Sequence, residues 1–446
     1  MNKKIITLVL ALVFLGIPIF SVFLLPVYAN TSWGAPVNIT NDIKDDFQST
    51  ITYDTRVTRG WHVAWVKTTI EGYTSDEIFY TNSSVYTTIK EQITQNEFKD
   101  WNPMIDQDSN GVVHVVWVQE TFTHSDYPGF CRSDIMYTNS TDWSIHINVS
   151  KQLKMNKNWE PTLVVEKDSG IPHIAWVGGY EEIPGKIYYC KGPNGAIQAV
   201  TQGDGRSWDP SIDLDESKNV HLTWAERSWS TGYEWDVRYT NSTMWPAEDT
   251  KNFLNVSDIY SDNDLNDRRP DIDIDNENRA HIAYYQDLPS DVINYAVSVT
   301  TNNTGFWNLG VVSPNEGDNK YPSIKVSRKI NPVIIYQGLR EDTYEIWAID
   351  FNGTWTPLCI SNNTWQDSLE WSSIGALDID KDDELYATYY TQIGTLASNL
   401  EVFINLGSIS GEGIPGFELM YLMMAFLTII IVWYYLKRRS LNALGK

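Results

Sequence analysis

The sequence predicts an all-β fold, a seven-bladed β-propeller with four-stranded blades, and three observations carry that expectation. The first is a repeated tetrapeptide, H-x-x-W, beginning at His62 (HVAW), His114 (HVVW), His173 (HIAW), His221 (HLTW) and His281 (HIAY), with worn copies at Val333 (VIIY) and Tyr386 (YATY). Successive starts lie 52, 59, 48, 60, 52 and 53 residues apart, and seven units of one period mark a repeat architecture. The second is the strand-and-turn pattern between copies. The third is an aromatic content of 13 %, with 19 Trp and 25 Tyr, which favours strands over helices.

Each unit reads as four short strands. The stretch from Trp101 to Trp117, WNPMIDQDSNGVVHVVW, shows the first two: an apolar strand opened by W-x-P, an acidic turn, and a second strand ending in H-V-V-W. That is a hairpin. A third strand of the type DIMYTN or DVRYT and a fourth of the type HINVS or FLNVS complete an antiparallel blade. The seventh unit runs out of chain after three strands, whereas Pro36 to Thr40 (PVNIT) is a fourth-type strand with no blade ahead of it. Closure of the ring by this N-terminal strand leaves no open edge, so one propeller occupies residues 33–408.

The chain ends read as membrane elements. In residues 1–29, Lys3 and Lys4 precede an apolar run from Ile5 to Leu25 and then Val27-Tyr28-Ala29. This is a secretory signal peptide cut after Ala29, or an uncleaved anchor. Residues 419–436 hold no charge and are followed by Lys437-Arg438-Arg439, which predicts a C-terminal transmembrane helix with residues 437–446 as a basic cytoplasmic tail and the propeller outside the cell. Between propeller and helix, the Gly/Pro linker 409–418 contains Gly411 to Glu418, GEGIPGFE. With the helix and basic tail, it resembles the sorting signals of archaeal surface proteins of the PGF-CTERM type. That resemblance implies archaeosortase processing and removal of the helix; a permanent anchor is the other reading. Both place the protein at the cell surface, with the membrane as a partner.

A formal net charge of −24 repels phosphates and excludes nucleic acid as a partner. Three cysteines (Cys131, Cys190, Cys359) give no disulfide framework. Ten N-x-S/T sequons stand at Asn30, Asn38, Asn82, Asn139, Asn148, Asn241, Asn255, Asn302, Asn352 and Asn362, six of which (Asn82, Asn139, Asn148, Asn241, Asn255 and Asn352) are taken as glycosylation sites. Those at Asn82, Asn139 and Asn241 share one repeat position in YTNSS or YTNST, where Asn-Ser-Thr also makes a good turn.

The five repeated histidines sit in five blades, too far apart for one metal site, and are assigned to packing or hydrogen bonding; the Trp of H-x-x-W belongs between blades. The expected cofactor is none. Asp106, Asp108 and Asn110 match the first half of a calcium loop, but the expected Glu at position 12 is missing and aspartate is a turn former in its own right.

Strand direction puts the first-to-second and third-to-fourth turns, with the YTNST sequons, on one face. The opposite face carries longer aromatic loops with Phe122, Tyr127, Phe130, Tyr180, Trp229, Tyr233 and Trp235. The approaches to the first strands add Lys99, Asp100, Arg206, Arg268, Arg269 and Lys320. Aromatic platforms beside charges, with Glu120, Glu226 and Asp287, suit a glycan or a protein ligand.

Over about 370 residues these repeats resemble the sialidase-like, BNR-type propellers of secreted proteins. Sialidases of that family use three arginines on a carboxylate, a tyrosine nucleophile paired with glutamate, and an aspartate acid. Carried over, the resemblance implies an exo-sialidase-like glycoside hydrolase using Glu120, Glu226, Asp287 and Tyr233, with Arg132 or Arg227 beside them. The chain departs from the pattern: loop arginines are few, and the S-x-D-x-G-x-T-W box is absent in that form. A noncatalytic binding propeller is therefore the first expectation and the hydrolase the second.

Overall fold

The structure is a computed structural model that describes residues 30–42, 44–69, 76–122, 131–153, 157–180, 183–201, 205–227, 234–245, 253–257, 266–288, 290–298, 305–314, 317–329, 331–351, 354–361, 366–369, 375–393 and 400–410. One unit is residues 31–351 and 355–410; the other is residues 1–30, 352–354 and 411–446, of which only Asn30 and Thr354 are described. The expected signal peptide and transmembrane helix lie outside the described residues, among which no helix is long and apolar enough to cross a membrane.

The larger unit is an all-β, seven-bladed propeller. Six sheets have four strands each, and a seventh has six. In every sheet the first strand packs against the first strands of the two neighbouring blades, so these strands form the inner ring. They are Asp46–Tyr53, Lys99–Gln107, Lys157–Val165, Arg206–Leu214, Asp267–Ile274 and Asn319–Val326 in blades 1 to 6. In blade 7 the first strand is split into Gln366–Ser368 and Leu377–Ile379, both paired with Glu384–Gln392. The ring closes as expected: Val37 pairs with Ile404 and Asn38 with Phe403. Asn30–Trp33 adds a second short strand on the same edge, and the sheet extends to Ser410.

The repeated motif explains the core. In all five H-x-x-W or H-x-x-Y blades the histidine Nδ1 meets a third-strand tyrosine hydroxyl: His62–Tyr80 at 2.5 Å, His114–Tyr137 and His173–Tyr189 at 2.7 Å, His221–Tyr239 and His281–Tyr295 at 2.6 Å. The other ring nitrogen meets a turn carboxylate at Glu166 (3.0 Å) and Asp275 (2.9 Å). In blade 7, Tyr386 stands in the histidine position and its hydroxyl donates directly to the turn aspartate Asp380 at 2.8 Å. Trp65, Trp117 and Trp176 are fully buried, and their indole N–H groups donate to a residue at the start of the first strand, Asp46, Asp100 and Asn158, at 2.6, 2.8 and 3.1 Å. Trp117 packs on Ala64, Val66 and Ile78 of the preceding blade, as the sequence predicts.

An inner strand is the edge of its sheet, and its free N–H groups face the next blade rather than a partner strand. Carboxylates fill that role. The N–H of Val165 donates to Asp106 at 2.7 Å, Ile274 to Asp213 at 2.8 Å, Val326 to Asp273 at 2.7 Å and Tyr53 to Asp378 at 2.9 Å. Asp271 accepts from Ile324 N–H at 2.9 Å and from the hydroxyls of Ser211 and Ser323 at 2.7 and 3.0 Å. Each pin joins adjacent blades. Asp271→Ala strands three buried donors, so urea denaturation is expected to show a loss of about 2–4 kcal/mol in unfolding free energy, whereas a similar substitution at the exposed Asp168 is expected to stay within about 0.5 kcal/mol.

Candidate functional site

The structure separates several of the residues that the sequence groups. Lys99 stands opposite Glu120 in the sheet, with its ammonium 3.5 Å from Asp76. Arg206 is opposite Arg227, and Glu226 is opposite Ser207. Glu226 accepts the Trp224 indole N–H at 3.1 Å, Asp287 accepts from the Asn266 amide at 3.4 Å, and Lys320 pairs with Asp291 at 2.7 Å. Among the described residues, no hydrogen bond or ion pair unites Glu120, Glu226 and Asp287; they belong to three different blades. Tyr127, Trp229, Tyr233 and the Tyr180 side chain lie outside the described residues.

A different cluster forms at the mouth over blades 3 to 6. In six first strands the register shifts at the W-x-P position, and the middle residue takes a left-handed backbone: Gln48, Asn102, Glu160, Asp209, Arg269 and Tyr321, with φ between 51° and 54°. Non-glycine residues rarely adopt this region, and such strain gathers at functional sites. Here it turns one residue per blade toward its neighbour. Gln48 accepts the Asn102 N–H at 2.9 Å, Glu160 accepts the Asp209 N–H at 2.8 Å, and Arg269 Nε lies 3.1 Å from Asp209 Oδ1 with its guanidinium over the Tyr321 ring at 5.8 Å. In blades 3 and 4 the preceding residue is a tryptophan, and Trp235 of the third strand of blade 4 joins them. Trp159 and Trp208 have ring centroids 5.6 Å apart, Trp208 meets Trp235 edge-on at 6.3 Å, and Arg268 lies over Trp235 at 5.3 Å. Trp235, Arg268 and Arg269 were legible in the sequence. Glu160, Asp209, Trp159, Trp208, Tyr285 and Tyr321 were missed, although W-x-P marked the position of Trp159 with Glu160 and of Trp208 with Asp209.

The electrostatics of this cluster are unusual. Glu160 is 5 % exposed. Burial, then the negative charge of Asp209, push its carboxyl up to about 8, against the partial pull of Arg269. Its Oε1 has no hydrogen-bond partner among the described residues. Burial also pushes the Tyr285 hydroxyl up to about 12. Burial opposes the Arg269 charge, and the neighbouring Asp209 carboxylate, foremost among the groups that favour it, holds the guanidinium above its ordinary value.

The candidate calcium positions have protein partners. Asp106 is held by Lys167 at 2.5 Å and Val165 N–H, while Asp108 accepts the Val112 N–H at 2.8 Å and lies 3.5 Å from the Asn110 amide. Among the described residues no three His, Cys, Asp or Glu side chains gather as a metal site. The repeated sequon asparagines are turn caps: the Oδ1 atoms of Asn82, Asn139 and Asn241 accept the N–H two residues on at 3.0 Å. Their amide nitrogens face Tyr80, Tyr137 and Tyr239, and Asn241 is only 5 % exposed. Asn82 and Asn139 are half-buried. Asn255 is exposed and Asn148 half-buried; Asn302, Asn352 and Asn362 lie outside the described residues.

No protein-family model and no curated protein matches the chain. Solved structures do. An ulvan lyase of a new polysaccharide lyase family, bound to -[GlcA(1-4)Rha3S]-, is 10 % identical at a TM-score of 0.51, covering 87 % of this chain and 96 % of that one. A protein of unknown function from Dyadobacter fermentans is 11 % identical at 0.49, over 85 % and 99 %. The sialidase of Trypanosoma rangeli with sialic acid is 9 % identical at 0.42, over 88 % and 60 %. At these identities the likeness extends to the propeller fold alone.

Because the folded state keeps on Glu160 a proton that the unfolded chain releases near 4.5, this residue's contribution to stability falls as pH rises from about 4.5 through about 8. Glu160→Gln is therefore expected to melt at least about 2 °C above the parent at pH 9 and to match it near pH 4; equal melting temperatures at pH 9 overturn the assignment.

Proposed function

We propose that the chain is a surface-displayed propeller that binds a glycan, without catalysis, at the mouth over blades 3 to 6. The observation that carries this reading is the run Trp159, Trp208, Trp235 and Arg268, an aromatic floor crossing successive blades beside buried carboxyls that can hydrogen-bond hydroxyls. Display outside the cell rests on the sequence of residues 1–29 and 419–436. A protein ligand is the other occupant of the same face.

A glycoside hydrolase is the second reading. It is favoured by Glu160, whose carboxyl burial pushes up to about 8 and which accepts the Asp209 backbone N–H, since such enzymes need a carboxyl held protonated as the general acid. A glycan-binding screen of the full chain, run beside a fluorogenic glycoside panel, separates the two. Saturable binding without turnover, weakened at least about tenfold in Trp235→Ala, is the expected result; turnover abolished in Glu160→Gln replaces binding with hydrolysis.

A further inference from the structure

The place where the chain leaves the propeller bears on what lies against the turn face, opposite the mouth, and the inference rests on the surface-display reading. The last strand of blade 7, Leu400–Ser410, ends at the first-to-second turn of its own blade, where the Ile409 N–H donates to the Asp383 carbonyl at 2.9 Å. The N-terminal strand lies beside this exit: the Gly34 N–H donates to the Leu406 carbonyl at 2.8 Å, and the Ser32 and Ser408 hydroxyl oxygens are 3.1 Å apart. Residues 411–418 then separate Ser410 from the uncharged run 419–436. Those eight residues span at most about 29 Å, which keeps the turn face within reach of a bilayer that holds the run.

That face carries apolar tips. Among the described residues six large apolar side chains are exposed, and three of them, Val57 at 46 %, Ile89 at 54 % and Ile145 at 58 %, sit in the turns of blades 1 and 2. The other three, Val37, Val311 and Leu358, lie on fourth strands at the outer edge. The turns of the two blades are joined, because Trp143 of blade 2 packs on Tyr80 of blade 1 at 5.2 Å.

The cations lie around the exit. The first-to-second turns of blades 6, 7 and 1 expose Arg328, Lys329, Lys381, Arg56 and Arg59. The same turns, with Glu384 at the start of the next strand, hold five carboxylates, so formal charge balances here in a chain of net −24. Of the five only Asp382 is exposed. Asp383 is buried and accepts the Arg328 N–H at 3.2 Å, Asp380 accepts the Tyr386 hydroxyl at 2.8 Å, and the Asp54 and Glu384 side chains are 8 % and 20 % exposed beside Arg56 and Arg59. A bilayer approaching this face therefore meets guanidinium and ammonium groups first, which suits lipid phosphates. Little intrinsic affinity is required, since a short tether sets an effective concentration in the millimolar range.

We propose that the turn face of blades 6, 7, 1 and 2 rests on the bilayer, with Val57, Ile89 and Ile145 at headgroup depth and the five cations on lipid phosphates. The mouth then opens away from the membrane.

The test is photo-crosslinking of the full chain reconstituted into vesicles of phosphatidylcholine and phosphatidylglycerol. The photoreactive p-benzoylphenylalanine is placed at Ile89, at Ile145 or, as the mouth-side control, at the exposed Glu97. Lipid adducts, measured by mass spectrometry, are expected to be at least about fivefold more abundant from positions 89 and 145 than from 97. Arg328→Glu combined with Lys381→Glu is expected to lower the adducts at 145 at least about fivefold. Equal labelling at the three positions, labelling unmoved by the charge reversal, or adducts to a second copy of the chain in place of lipid overturns this inference and leaves surface display standing. Release of the chain from the vesicles by alkaline carbonate overturns both.

Discussion

Everything in this fold depends on how the innermost strands satisfy their free backbone N–H groups. A ring of separate sheets leaves each inner edge unpaired on one side, and no strand is available to pair with it. The chain answers with side chains from the preceding blade: Asp106, Asp213, Asp273 and Asp378 at one level and Asp271 at the next. Lys167 and Lys325 stand against this acidic lining through Asp106 and Asp273. Burial lifts Asp271 and Asp378 above the ordinary carboxylate range and takes Asp213 to about 7. Part of the chain's acidity is therefore internal scaffolding rather than a surface property.

The same requirement creates the site. At the mouth the pinning residue sits on a bulge with a left-handed backbone, so its identity is freed from strand pairing while its position stays fixed by the neighbouring N–H. In blades 1 and 2 that position holds the uncharged amides Gln48 and Asn102; in blades 3 to 6 it holds Glu160, Asp209, Arg269 and Tyr321. The proposed site thus sits on a structural device repeated around the ring.

The architecture was legible because a fifty-residue period survives in single residues whose roles the structure explains: the histidine that meets a tyrosine hydroxyl, the tryptophan that meets the start of the first strand. Closure by Pro36 to Thr40 followed from counting strands. The site was less legible because its residues share a structural position rather than a residue type. Glu120 and Glu226 stood out as loop carboxylates, yet the first faces Lys99 and the second accepts an indole N–H. Glu160 and Asp209 were hidden as the variable residue before a proline, a place where the sequence alone gives no sign of a reversed backbone.

The last blade is made from both ends of the chain, Val37 pairing with Ile404 and Thr40 bonding to Glu401 and Val402. Blades 1 to 6 are each local in sequence and can form as the chain emerges, but the seventh must wait for residues on the far side of the whole ring. Until then the first blade's flank, with Trp61 and Trp65 that pack on Tyr386, Val402 and Ile404, is exposed. Synthesis of this protein therefore carries a long interval in which an apolar surface stands uncovered, and the final strand ends that interval in one closing event.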